Sequence, residues 1–229
     1  MNVRLASTSV QSGDVRIRVG DAVLEGILAT PAAARGLVLF AHGSGSGRHS
    51  TRNRHVAEML QSHGIATLLF DLLTAPEERR DAGDGRLRFD IDFLTHRLRM
   101  ATAWAFRHFA GAPPSLGYFG ASTGAAAALQ AAAAEGERIR AVVSRGGRPD
   151  LAADALSKVL APTLLIVGGD DAPVLELNHE AFDRLRGVKH LAVVSRATHL
   201  FEEPGALEAV ADLAAAWFGE HLSPEEMPV

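Results

Sequence analysis

The chain has 229 residues, 47% of them hydrophobic and 22% charged, with a formal net charge of −4 and no cysteine. That length suits one sizeable core, and with no linker or internal repeat residues 1–229 read as a single domain. The mild acidity leaves no basic face for nucleic acid and no polybasic membrane signal, and the lack of cysteine excludes a disulfide framework, a thiol nucleophile and thiolate metal sites. Met1 to Asp14 has no signal-peptide apolar core, and no apolar run reaches the roughly 18 residues of a membrane span, so a cytoplasmic protein is expected.

Val15-Arg-Ile-Arg-Val19 alternates apolar and polar residues, and Ala22 to Ala29 forms a second strand closed by Thr30-Pro31, so residues 15–29 predict an antiparallel hairpin. Gly36-Leu-Val-Leu-Phe-Ala41 is a continuous apolar run, the mark of a strand buried on both faces. It opens into the glycine-rich loop His42-Gly-Ser-Gly-Ser-Gly47. A helix is predicted over 52–63, with Val56, Met59 and Leu60 on one stripe, then a buried strand over 65–70 ending at Asp71. Residues 74–90 read as a loop of mixed charge. A long amphipathic helix runs from about Phe89 to Phe109. Further strands are predicted at 116–119, 139–144, 163–167 and 191–195, with a short helix at 150–159 and helices at 174–185 and 205–219. Buried strands alternating with helices after a leading hairpin give an open α/β fold with a mostly parallel sheet. In such sheets the active groups gather beyond the carboxyl ends of the strands.

Gly120-Ala121-Ser122-Thr123-Gly124 fits G-x-S-x-G and lies between an apolar strand and the alanine-rich run Ala125 to Ala134, a strong helix former. Strand, tight turn and helix form the context of a nucleophile elbow, which makes Ser122 the candidate nucleophile. A serine hydroxyl needs a base, and the base an orienting group. Asp170 and Asp171 follow the strand at 163–167, and His199 follows the last strand, in the chain order Ser, Asp, His that this motif uses. Adjacency alone does not separate the two acids. In the loop at 42–47 the backbone N–H of Ser44 can pair with that of Thr123 as an oxyanion hole. A dinucleotide phosphate loop is the weaker reading, because Arg48 stands where its third glycine belongs. His42 is expected to pack or hydrogen-bond beneath the loop. Arg145 and Arg148 offer forks for a substrate carboxylate, or salt bridges to Asp150 or to the Asp170/Asp171 pair. Asp71 either orients the serine loop or caps a turn. No metal or cofactor is expected: His179-Glu180-Ala-Phe-Asp183 lacks the second histidine of H-E-x-x-H, and His49, His55 and His63 do not share one helix face.

On His42-Gly43-Ser44-Gly45, Gly120 to Gly124, Val167-Gly168-Gly169-Asp170-Asp171-Ala172-Pro173-Val174 and Ala197-Thr198-His199-Leu200-Phe201, the chain resembles the α/β-hydrolases of the dienelactone-hydrolase-like branch, over nearly the whole domain. The resemblance implies an α/β-hydrolase fold with a mostly parallel central sheet flanked by helices, a leading antiparallel hairpin and no cap domain. The family's acid lies three residues after the glycine closing its strand, so Gly168 points to Asp171. Dienelactone hydrolases proper use a cysteine nucleophile, and serine here favours ordinary ester chemistry. Residues 147–161 leave no room for a cap, which favours a small or exposed ester. The expectation is a serine hydrolase cleaving carboxylic esters of small molecules through an acyl-enzyme on Ser122, with His199 as base and Asp171 as orienter. Thioester or amide hydrolysis and acyl transfer use the same triad. A catalytically idle binding module is the alternative outside enzymes, and an intact Ser, Asp and His argue against it.

Overall fold

A computed structural model of the chain describes residues 9–109 and 115–222; the polar stretch from Met1 lies outside them as far as residue 8. The run Gly36–Ala41 forms β3, and all six of its residues are buried. Its side chains alternate between two cores. Leu37 and Leu39 join one apolar cluster, while Val38 and Phe40 join another on the opposite face. A strand covered on both sides must be apolar at every position, which is why the run is continuous.

Around it lie β1 (Val10–Val19), β2 (Ala22–Pro31), β4 (Ala66–Phe70), β5 (Ser115–Ala121), β6 (Ile139–Arg145), β7 (Thr163–Gly168) and β8 (Lys189–Val194), in the order β1-β2-β4-β3-β5-β6-β7-β8. β1 and β2 form the antiparallel hairpin, and β2 joins the sheet antiparallel to β4. Every later pairing is parallel. The helices are α1 (Thr51–Ser62), α2 (Ala75–Asp81), α3 (Ile91–His108), α4 (Thr123–Glu135), α5 (Ala172–Arg184) and α6 (Ala206–His221). α3 and α4 cover one face and α1 and α6 the other. In α4 the residues Ala125 to Ala128 are wholly buried, so the alanine run is the packing face of a helix pressed closely on the sheet.

The expected fold class is the one observed, and three local features differ. β1 begins at Val10 rather than Val15, because the ladder continues to the pair Val10↔Pro31 although Gln11 to Asp14 are exposed. Backbone pairing carries that part of the strand, and it leaves no alternation to read. Within the supposed loop at 74–90 a helix forms: Thr74 accepts the Glu77 N–H, the Glu77 carboxylate accepts the Thr74 N–H, and Pro76 lies in the first turn. This capping box is a helix start that charge density masks. Pro149–Lys158 is a 3₁₀ segment interrupted at Ala153 (φ 47°) rather than a regular helix. Among the described residues no helix is long and apolar enough to cross a membrane.

Candidate active site

Ser122 lies where β5 turns into α4, with φ 51° and ψ −122°. An L-residue rarely holds a positive φ, and such strain concentrates at working sites. It stands at the N-cap of α4, yet its side chain makes no capping bond, which leaves the hydroxyl free. The backbone is fixed on both sides. The Ser122 N–H donates to Arg145 O at 3.3 Å, and Ser122 O accepts from Ala125 N–H and Arg148 N–H, both at 3.1 Å. Glycine is required where the turn meets β3: a Cβ on Gly124 would lie 2.1 Å from Ala41 O. Gly43 lies against the serine itself, since a Cβ there would be 3.0 Å from Ser122 Cβ.

Asp171 follows the glycine-closed end of β7, and its N–H donates to Gly168 O at 3.1 Å. It precedes α5 without capping it through its side chain, so the carboxylate is available to a partner. That partner is His199, whose Nδ1–H donates to Asp171 Oδ2 at 2.7 Å. The Asp171 side chain is 13% exposed and that of His199 38%, so the carboxylate is shielded while the imidazole keeps an open face. Asp170 is exposed and donates its own N–H to Ala197 O at 3.0 Å. The structure therefore brings Asp171, and not Asp170, to the histidine. His199 shares the β6 end with the serine. Arg145 O holds the Ser122 N–H, and a Cβ on the next residue, Gly146, would lie 3.6 Å from His199 Cε1. Among the described residues no hydrogen bond joins Ser122 Oγ to His199; catalytic bonds of this kind are often long before the reacting complex forms and tighten in it.

The loop after β3 is anchored from below by His42. Leu72 N–H donates to His42 Nε2 at 3.0 Å, so Nδ1 carries the proton and donates to Gly43 O at 2.9 Å. Burial pushes the His42 pKa below its ordinary value, outweighing Gly43 O and the more distant Asp71 and Glu78, which favour the cation. One neutral tautomer thus bonds at both ends, as expected of a structural histidine. Asp71 accepts the Arg48 N–H at 2.7 Å and pairs with its guanidinium, so it ties the far end of the loop to β4. The Ser44 N–H donates to Thr123 Oγ1 at 3.2 Å. Thr123 N–H, in the first turn of α4, has no intrahelical acceptor available.

Alongside this loop runs a groove of about 640 Å³. Arg48, Arg52, Arg88, Asp71, Glu78 and Asp81 line it, with Leu73 and Leu94 among its few apolar residues. Ser122 and His199 are not in its lining, but Gly43 is, and a Cβ there would lie 3.0 Å from Ser122 Cβ. Sequence reading missed the wall supplied by α2 and Arg88, and the capping box at Thr74 was the available signal.

The two arginines after β6 differ. Arg148 forms the expected salt bridge, bidentate to Asp150 at 2.8 Å for both contacts, and that bond raises its pKa. Arg145 is 8% exposed and meets no carboxylate among the described residues. Its Nη2 donates to Asn53 Oδ1 at 3.4 Å, and Phe201 lies 6.0 Å from its guanidinium carbon. Desolvation, followed by the nearby Arg52, pushes its pKa down to about 10. No group of three or more histidine and carboxylate side chains suited to a metal ion occurs among the described residues.

The sheet order, the elbow-like turn and the acid and histidine on later strand ends define an α/β-hydrolase fold. A crystal structure of a dienelactone hydrolase from Anabaena variabilis superposes with a TM-score of 0.90 at 56% identity, covering 93% of this chain and 99% of that one. The chain belongs to the dienelactone hydrolase family. Est1E from Butyrivibrio proteoclasticus has the same fold, with a TM-score of 0.76 at 17% identity over 91% of this chain and 98% of its own. Two proteins from Mycobacterium tuberculosis strains, provisionally named phosphoribosyl transferases, are 55% identical over 217 residues, 95% of this chain and 48% of theirs. The chain spans about half the length of these curated relatives. No family model matches it.

Proposed function

We propose that the protein is a serine hydrolase that cleaves carboxylic esters of small molecules through an acyl-enzyme on Ser122. The observation that carries this reading is the His199–Asp171 hydrogen bond beside a strained serine with a free hydroxyl. In the first step Ser122 Oγ bonds to the ester carbonyl carbon while its proton passes to His199 Nε2, and the carbonyl π electrons move onto oxygen. The Ser44 and Thr123 N–H groups meet that oxyanion. Asp171 stays ionised, holds the Nδ1–H tautomer and stabilises the imidazolium. Collapse breaks the bond to the leaving oxygen, which takes the proton from His199. Water then repeats the sequence on the acyl-enzyme and regenerates Ser122.

The groove and the missing cap bear on the substrate. Burying a methylene gains about 0.8 kcal/mol only in apolar surroundings. A wall of arginines and carboxylates with two leucines offers little of that gain, which favours short or polar esters. Thioesters and amides present the same carbonyl to the same groups. Residues 1–229 are proposed to act as one hydrolase domain. The phosphoribosyl transferase name belongs to proteins twice as long as the aligned stretch, and no residue described above supports that transfer. Labelling with a fluorophosphonate probe, comparing the parent with Ser122→Ala, tests the reading: the parent should label and the variant should not. An unlabelled parent would remove the serine nucleophile. A p-nitrophenyl ester series should show rates falling beyond short acyl chains.

A further inference from the structure

In the scheme above the Ser44 amide serves the oxyanion, yet in the free protein it donates to Thr123 Oγ1 at 3.2 Å. Ser44 itself is exposed and lies between Gly43 and Gly45, the latter with φ 71°. The loop's own bracing here ends at Gly43 O, which accepts from Ser46 N–H at 3.2 Å and from His42 Nδ1–H at 2.9 Å; neither bond holds the Ser44 amide. The Thr123 side chain is the opposite kind of group: buried, β-branched and therefore stiff at χ1, and fixed at the start of α4. A hydroxyl has two lone pairs and one proton. The Ser44 amide takes one lone pair.

We propose that the Thr123 side-chain hydroxyl is the positioning group of the oxyanion hole. It holds the Ser44 N–H beside Ser122 before substrate arrives and shares it with the oxyanion as the tetrahedral intermediate forms. This rests on the serine-hydrolase reading. A donor accelerates the reaction only if it is already aimed where charge develops, and an amide on a glycine-flanked, exposed loop would otherwise turn towards water. A neutral hydroxyl is the right holder. Hydrogen bonds to an ionised acceptor are roughly twice as strong as neutral ones, so the developing oxyanion draws the N–H away from Oγ1. A carboxylate in the same place would keep it.

The test compares the full chain with Thr123→Val, which keeps the shape and loses the oxygen, and with Thr123→Ser, which keeps the oxygen. Thr123→Val should lower kcat about 10-fold, less than the 100-fold or more for outright loss of a donor, while KM stays within about twofold. It should weaken a trifluoromethyl ketone, which mimics the tetrahedral adduct, by the same factor. Thr123→Ser should remain within about threefold of the parent in all three measurements, because the oxygen that holds the amide is still there. A fluorophosphonate-labelled parent with unchanged kcat in Thr123→Val overturns this inference alone. So does an equal loss in both variants, or a rise in KM without a change in kcat, since each assigns the side chain to packing. An unlabelled parent overturns the hydrolase reading and this inference with it.

Discussion

Asp171 accepts the Nδ1–H of His199 at 2.7 Å, while the adjacent Asp170 faces solvent and contributes only its backbone N–H, to Ala197. Two acids that are neighbours in sequence thus differ completely in what they can do. Asp171→Asn presents an amide to the imidazole, which can stabilise the wrong tautomer and cannot balance the imidazolium. We expect kcat to fall by about 10³–10⁴-fold. Asp170→Asn should leave kcat within about twofold, as a substitution at an exposed position away from the reacting groups. Parallel kcat measurements on the two variants decide the matter, and equal losses would contradict the assignment.

The difference between these two acids shows what the sequence could and could not reveal. The strand ends and the order serine, aspartate, histidine follow from apolar runs and glycines, which are local signals, whereas only the family resemblance favours Asp171 over Asp170. Which acid turns inward depends on how the β7 end packs against the Ala197 backbone, a relation between segments far apart in sequence. The same holds for Arg145. Its position at a strand end was legible, but its burial against Asn53 and Phe201 joins α1, β6 and the loop after β8. Helix α2 was legible in principle from Thr74, Pro76 and Glu77, and the surrounding charges obscured it.

Arg145 is a buried cation with no carboxylate among the described residues. Even a buried ion pair can often be replaced by apolar residues of similar volume at no loss or with a gain of about 1–4 kcal/mol, and a buried cation without a carboxylate has less to lose. Arg145→Met should therefore leave the Tm unchanged or raise it by several degrees, at about 2–4 °C per kcal/mol for a chain of this size. Scanning calorimetry checks this. A clear fall in Tm would mean that the guanidinium has a stabilising role that Asn53 and Phe201 do not explain.

His42 predicts an acid-side loss of stability. The unfolded chain takes up a proton on this residue near the ordinary value of 6.5, and the folded chain does so only at lower pH because the ring is desolvated. Between those two values the unfolded state holds more protons, so the contribution to stability falls as pH drops below 6.5 and levels off once the folded pKa is passed. Urea midpoints measured from pH 7.5 down to pH 5 should decline with this slope. His42→Gln, which can still accept from Leu72 N–H but does not titrate, should show a flatter profile over the same range.

Gly43 separates active-site geometry from fold stability. A Cβ at this position would lie 3.0 Å from Ser122 Cβ and 3.2 Å from Ala121 O, a crowding that a shift of a few tenths of an ångström relieves. The serine cannot give freely, because its backbone is held by Arg145 O, Ala125 N–H and Arg148 N–H. The exposed loop carrying Ser44 is the softer partner, so it moves and carries its amide away from Ser122. Misplacement by about 1 Å can cost 100-fold in rate, so a smaller shift should cost about 10-fold in kcat. Gly43→Ala should therefore lose kcat while keeping its Tm within a few degrees. Gly124→Ala, whose Cβ would fall 2.1 Å from Ala41 O in the rigid strand, should instead lose fold stability outright. Measuring kcat and Tm on both variants tests the contrast, and a Gly43→Ala protein as active as the parent would show that the loop amide does not need its present position.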